Sequence, residues 1–200
     1  MIKQYSTYVN KIKYQKTIYL LIFICYNSLL VINWRCLMVI LGIDPGYATV
    51  GYGVIEYNGV NFKTMDYGAV TTPAGIEFNR RLEMIYDGIC ELCETFKPDA
   101  VSVEELFFNT NLKTGIAVAH GRGVILLALQ KCNVNFYEYT PLQVKQSVVG
   151  YGRAEKKQVM LMTQNLLGLE KIPKPDDAAD ALALAICHAH SAKSRLLGLI

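Results

Sequence analysis

Four carboxylates in this 200-residue sequence stand where chemistry could use them: Asp44, Glu104, Asp177 and Asp180. Asp44 closes the apolar run MVILGID directly before Pro45-Gly46. A lone aspartate there is costly unless it is paired, satisfies a turn or binds a cation. Glu104 ends a second apolar run after Val101-Ser102-Val103, with Glu105 beside it. On a strand these neighbours point to opposite faces, so only one can share Asp44's side, and alternation alone does not say which. Asp176, Asp177 and Asp180 open an alanine- and leucine-rich segment. Acids at a helix start complement the dipole and cap free amides, which accounts for one or two of them. Asp177 and Asp180 are three apart and share a helix face. With Ala178, Ala179, Ala181 and Ala183 around them, they are expected to form an exposed pair that a large substrate can approach closely.

Carboxylates drawn together from two strand ends and a helix start repel one another and need a cation. A hard divalent ion with oxygen ligands meets that need. Magnesium keeps several waters and takes phosphate oxygens, the arrangement for in-line phosphoryl displacement by water. Two ions per site would serve the attacking water and the leaving 3′ oxygen, with manganese as a substitute. No Ser-His or Cys-His constellation offers a rival nucleophile. The chemistry expected is phosphodiester hydrolysis.

The elements that must position these acids follow from periodicity. Val39 to Asp44 and Gly51 to Tyr57 read as strands, and Asn58-Gly59 predicts a two-residue type I′ hairpin into a third strand over 62–71. Apolar spacing predicts a helix over 76–96, closed by Lys97-Pro98, then a strand over 100–104. A helix over 114–131 follows, where Gly115, Gly121 and Gly123 imply close packing against another backbone. A strand over 134–139, a short helix opened by Thr140-Pro141, a helix over 154–168 and a last helix from Asp177 to about Ser194 complete the chain. Three antiparallel strands followed by alternating helices and strands give an α/β fold with a mixed sheet and helices on its faces.

Composition bounds the rest. An apolar fraction of 52% and the chain length suit one folded domain. Residues 1–37 contribute +5 to the net charge of +3, so the remainder stands at −2, and a nucleic-acid contact must use a local basic face. Six scattered cysteines do not form a secreted disulfide scaffold and favour a reducing, cytoplasmic setting. Cys90 and Cys93 make a CxxC, but on the apolar face of the 76–96 helix they read as core. The apolar stretch 18–32 is broken by Asn27-Ser28 and falls short of the roughly 20 residues of a spanning helix. Residues 1–37 therefore read as an over-extended start or hydrophobic tail before a domain over 38–195, with the first favoured and membrane association not.

Four segments together carry a family likeness: ILGIDPGYATVGYGVIEY (40–57), VEELFF (103–108), QVKQSVVGYGRAEKKQV (143–159) and DDAADALALAICHAH (176–190). In that order and spacing they resemble the bacterial RuvC family, the Holliday junction resolvases. The resemblance implies a ribonuclease H-like fold and a homodimer, each subunit nicking one of two like-polarity strands of a four-way DNA junction. It implies 5′ phosphate and 3′ hydroxyl ends and the RuvA and RuvB branch-migration proteins as partners. Carried over residue by residue, the family's catalytic acids fall on Asp44, Glu104, Asp177 and Asp180, choosing Glu104 over Glu105 and Asp177 over Asp176. The junction-stacking aromatic falls on Phe107, and two lysines near the scissile phosphate fall on Lys145 and Lys156. Arg80, Arg81, Arg122 and Arg153 are candidates to widen the basic face. His188 and His190 stay outside the catalytic set, His188 as a helix-end histidine facing carbonyls.

Three other readings use some of the same residues. An ATP-binding protein of the actin and sugar-kinase class would suit Asp44-Pro45-Gly46, but needs about twice the length. A DNA-binding module without catalysis would have lost an acid, and all four are present. An RNA nuclease of the same fold class would not explain Phe107 and the lysine segment.

Overall fold

A computed structural model of the protein describes residues 37–106 and 112–196. The hydrophobic stretch 18–32 and Phe107 with Phe108 lie outside the described residues. Among the described residues, no helix is long and apolar enough to cross a membrane.

The elements are β1 (Met38–Asp44), β2 (Thr49–Tyr57), β3 (Phe62–Thr71), α1 (Phe78–Phe96), β4 (Ala100–Glu104), α2 (Leu112–Lys131), β5 (Phe136–Tyr139), α3 (Pro141–Val149), α4 (Lys156–Leu166) and α5 (Asp176–Leu196). The sheet runs in the order β3-β2-β1-β4-β5. The first three strands are antiparallel, and β4 and β5 then join in parallel with β1. This is the mixed sheet expected from the pattern of elements.

Boundaries follow local chemistry. Lys97 closes α1 in the left-handed region, its amide donating to the Cys93 carbonyl. Thr140 caps α3 through a reciprocal capping box with Gln143, and Pro141 takes the first turn, where its missing N–H costs nothing. The β2–β3 connection departs from expectation. Tyr57 pairs with Phe62, leaving a four-residue loop rather than a two-residue turn. The Asn58 side chain accepts from the amides of both Val60 and Asn61, and that local bonding stabilises the longer loop.

Strand alternation sorts the core onto two faces. Leu41 and Ile43 of β1, Val50 and Val54 of β2 and Val101 and Val103 of β4 pack against Ile85 and Ile89 of α1 and Ile125 and Leu129 of α2. Ile40 and Ile55 face the other way, against Leu182 and Ile186 of α5 and the residues of α3 and α4. The second face has a glycine floor. A Cβ on Gly53 would lie 2.9 Å from the Leu182 amide nitrogen, one on Gly51 would lie 2.8 Å from the Asp177 Cβ, and one on Gly42 would collide with the Ala181 carbonyl. The α5 backbone therefore rests directly on β1 and β2. Ala178, Ala179, Ala181 and Ala183 are all buried, so they permit this approach instead of framing an open surface, contrary to the expectation from sequence. Of the three glycines of α2 singled out in the sequence, Gly121 meets another backbone: its Cβ would lie 2.7 Å from the Gly46 oxygen, against the turn after Asp44. Gly123 has nothing within 4 Å.

Candidate active site

Register decides which carboxylates can meet. Asp44 pairs with Gly51 at the end of β1, and Gly42, two residues earlier, pairs with Ser102 of β4. Paired residues share a face and alternate along the strand, so Glu104 lies on Asp44's side and Glu105 on the other. Glu105 is exposed and lines a separate cleft with Leu106, Arg122 and Glu138. At the start of α5 the choice is made by a lysine. Asp176 is exposed, and the Lys174 ammonium 2.6 Å away draws its carboxyl below the usual range. Asp177, half-buried, sits over Gly51 and next to Asp44's strand end.

Burial, with the charges of Glu104, Asp180 and Asp177, pushes the Asp44 carboxyl up to about 8. Glu104 is also raised, by burial and by Asp180, while a hydrogen bond from Asp44 acts in the opposite sense. Near neutral pH the Asp44 carboxyl thus keeps its proton and donates to Glu104. The Lys156 ammonium, at the start of α4, bonds Asp180 at 2.7 Å, and this contact raises its own pKa. An open cleft of about 260 Å³ beside these groups is lined by Glu104, Lys145, Lys156 and Asp180 among others. Asp44 and Asp177 are not part of that lining.

The donor set fits a hard cation. Four carboxylate side chains share one end of the sheet, and burial together with mutual repulsion favours a proton on Asp44 that a divalent ion would displace. Among the described residues, no three histidine, cysteine or acidic side chains stand close enough together to hold a metal ion as they are arranged.

Several sequence expectations are redrawn. Arg122 bonds the Glu104 carbonyl at 3.4 Å and pairs with Glu138, so it ties α2 to the ends of β4 and β5 instead of joining a basic face. Arg80 pairs with Glu83. Arg81 donates to Thr72 Oγ1 at 2.8 Å and lies over the Tyr47 ring, bracing the turn that follows Asp44. His188 is interior to α5 and 4% exposed, with Nδ1 2.8 Å from the Tyr139 hydroxyl, so it is a core histidine and not a helix-end one. His190 does face a carbonyl, that of Ser147. Lys157, next to Lys156, is exposed. Phe107, three residues beyond Glu104, lies outside the described residues. The roles of Arg122 and Arg81 escaped the sequence because their partners are 16 and 9 residues away or more, with no periodic signal linking them.

Comparison with known proteins shows the family and the fold. Residues 40–188 match the family model for crossover junction endodeoxyribonuclease RuvC. The RuvC protein of Clostridioides difficile is 61% identical over 156 residues, 78% of this chain and 92% of that one. That of Ruminiclostridium cellulolyticum is 58% identical over 154 residues, 77% and 93% of the two chains. The structure of Thermus thermophilus RuvC in complex with a Holliday junction substrate superposes with a TM-score of 0.75 at 36% identity, covering 79% of this chain and 96% of that one. A sheet end that gathers four acids beside Lys156, within a match spanning all of them, leaves one conclusion: the chain belongs to the RuvC family of crossover junction endodeoxyribonucleases.

Proposed function

We propose that the acidic end of β1 and β4 hydrolyses DNA phosphodiester bonds at four-way junctions, resolving Holliday junctions in recombination and repair. The single observation that carries this is the electrostatic meeting of Asp44, Glu104, Asp177 and Asp180, with Lys156 on Asp180. In this reading the four acids hold Mg²⁺, two ions per site, with Mn²⁺ able to substitute. A bound divalent ion supplies Lewis-acid stabilisation of phosphate oxygens and a lowered pKa for water.

The chain's own residues do the rest. Asp44 and Glu104 would hold the ion from the strand ends, and Asp177 and Asp180 from α5. Lys156 leaves Asp180 for the scissile phosphate, and Lys145, across the cleft, takes a neighbouring phosphate. Phe107 stacks on a junction base, a sequence-tolerant contact worth about 1–3 kcal/mol. Arg81 and Tyr47 hold the Pro45–Ala48 turn in place, and Arg122 fixes the end of β4. Water attack then leaves 5′ phosphate and 3′ hydroxyl ends. Two copies of the chain nick symmetrically as a homodimer, in the cytoplasm and coupled to RuvA and RuvB. The working domain is residues 38–195, and the family match beginning at residue 40 supports that boundary.

The test is a synthetic four-way junction with the purified full chain. Paired symmetric nicks that require Mg²⁺ or Mn²⁺ are expected. Asp177→Asn should bind the junction and cut at least about 100-fold more slowly. Undiminished cutting by that variant would sink the assignment.

A further inference from the structure

The face of the sheet opposite α5 carries a second group of ionisable side chains, which hydrolysis does not use. Cys90 and Cys93 stand one turn apart on α1, and Cys132 directly follows the last residue of α2. Cys132 lies close enough to Cys90 and Cys93 to raise both thiols, and the Tyr86 hydroxyl lies beside the Cys90 sulfur. All three cysteines line one cleft of about 460 Å³, together with Tyr86, Glu94 and Lys131. Cys90 and Cys132 are half-buried, open to a small solute, whereas Cys93 is buried. Three thiols that share one cleft can exchange with a small disulfide.

We propose that Cys132 and Cys90 form an oxidation site that takes a low-molecular-weight disulfide as its oxidant and joins α1 to the end of α2. The Cys132 thiolate attacks one sulfur of the small disulfide, forming a mixed disulfide and releasing one small thiolate. The Cys90 thiolate then attacks the Cys132 sulfur, closing the internal bond and expelling the second small thiolate. Two protein thiols lose two electrons and two protons, and one small disulfide becomes two small thiols. Burial raises the Cys90 thiol and pushes that of Cys93 further, up to about 12. Cys90 is the more exposed neighbour of Cys132, so the expected product is the 90–132 bond and not the 93–132 bond.

The experiment uses the reduced full chain, exposed to glutathione disulfide in mildly alkaline buffer. Remaining thiols are alkylated, and the digest is mapped by mass spectrometry under non-reducing conditions. A Cys90–Cys132 linkage that reduced glutathione reverses is expected, with a rise in Tm of roughly 5–10 °C from the constrained unfolded chain. Cys90→Ala should instead trap glutathione on Cys132 and show no such rise. The mapping of the unsubstituted chain stands even where that variant folds poorly. A linkage through Cys93, or glutathione left on Cys132 of the unsubstituted chain with no internal bond, overturns the proposal.

Discussion

The acidic end of the sheet and the thiol cleft beside α1 both crowd like ionisable groups under burial, and they answer the cost differently. The Cys90 and Cys93 thiols can stay neutral, because burial strengthens their hold on the proton. The carboxylates would ionise near neutrality if left alone. Their crowding is offset by a proton held on Asp44 and by the Lys156 ammonium on Asp180. The floor differs too. Branched aliphatics fill the thiol side, whereas glycines on β1 and β2 bring α5 close enough for Asp177 to overhang Asp44's strand end. A carboxylate cluster that must hold a proton and a lysine to offset its crowding is primed for a cation that would replace them.

The largest expected break in this contrast comes from Asp44→Asn. Junction cutting should fall by at least about 100-fold while the ion-free protein becomes more stable at high pH. The sign follows from linkage. Asp44 has its folded-state pKa raised to about 8, so its favourable contribution is complete below the ordinary carboxylate range and is lost as pH rises through about 8. The gap in Tm between Asp44→Asn and the parent, measured without divalent ions, should therefore widen from pH 4 towards pH 9, at about the values that bracket this titration. A gap independent of pH would remove the shared proton from the account. Cys93→Ala should leave cutting unchanged within about twofold, since it touches only the other cluster.

Gly51→Ala is the next test. Its Cβ would lie 2.8 Å from the Asp177 Cβ and closer still to that residue's backbone, so α5 must lift from the sheet. A loss of about 1–3 kcal/mol in denaturant unfolding is expected, along with weaker metal-dependent cutting. Gly123→Ala, with open space around it, should instead stabilise α2 by up to about 1 kcal/mol. Equal effects from the two substitutions would deny the glycine floor its role.

Lys156→Met should give the smallest change. With side-chain exposures of 55% for Lys156 and 29% for Asp180, their bond contributes at most about 1 kcal/mol to stability. Junction binding should lose roughly one unit of its salt slope, read from affinity across a salt titration. An unchanged slope would confine Lys156 to the ion pair with Asp180.

Periodicity and end signals carried most of the fold: the strand patterns, the Thr140 cap and the three-plus-two arrangement of the sheet all follow from local physics. They failed where two local preferences compete, as at Asn58, whose side-chain bonds favour a longer loop than the Asn-Gly pair suggests. The same limit applied to alanines 178–183, since small apolar residues suit an open surface and a close helix-to-sheet contact equally well in sequence.

For the site, the sequence alone determined which residue types could do metal-assisted hydrolysis and that Asp177 and Asp180 share a helix face, because spacing within one element is set by its own geometry. The family resemblance already chose Glu104 over Glu105 and Asp177 over Asp176, and only tertiary structure supplied the physical reason, which lies between elements. The pairing of Gly42 with Ser102 puts Glu104 and not Glu105 beside Asp44, Lys174 draws Asp176 aside, and Glu138 takes Arg122 out of the basic face. Register and long-range ion pairs are properties of chains packed together, and no period along one segment encodes them.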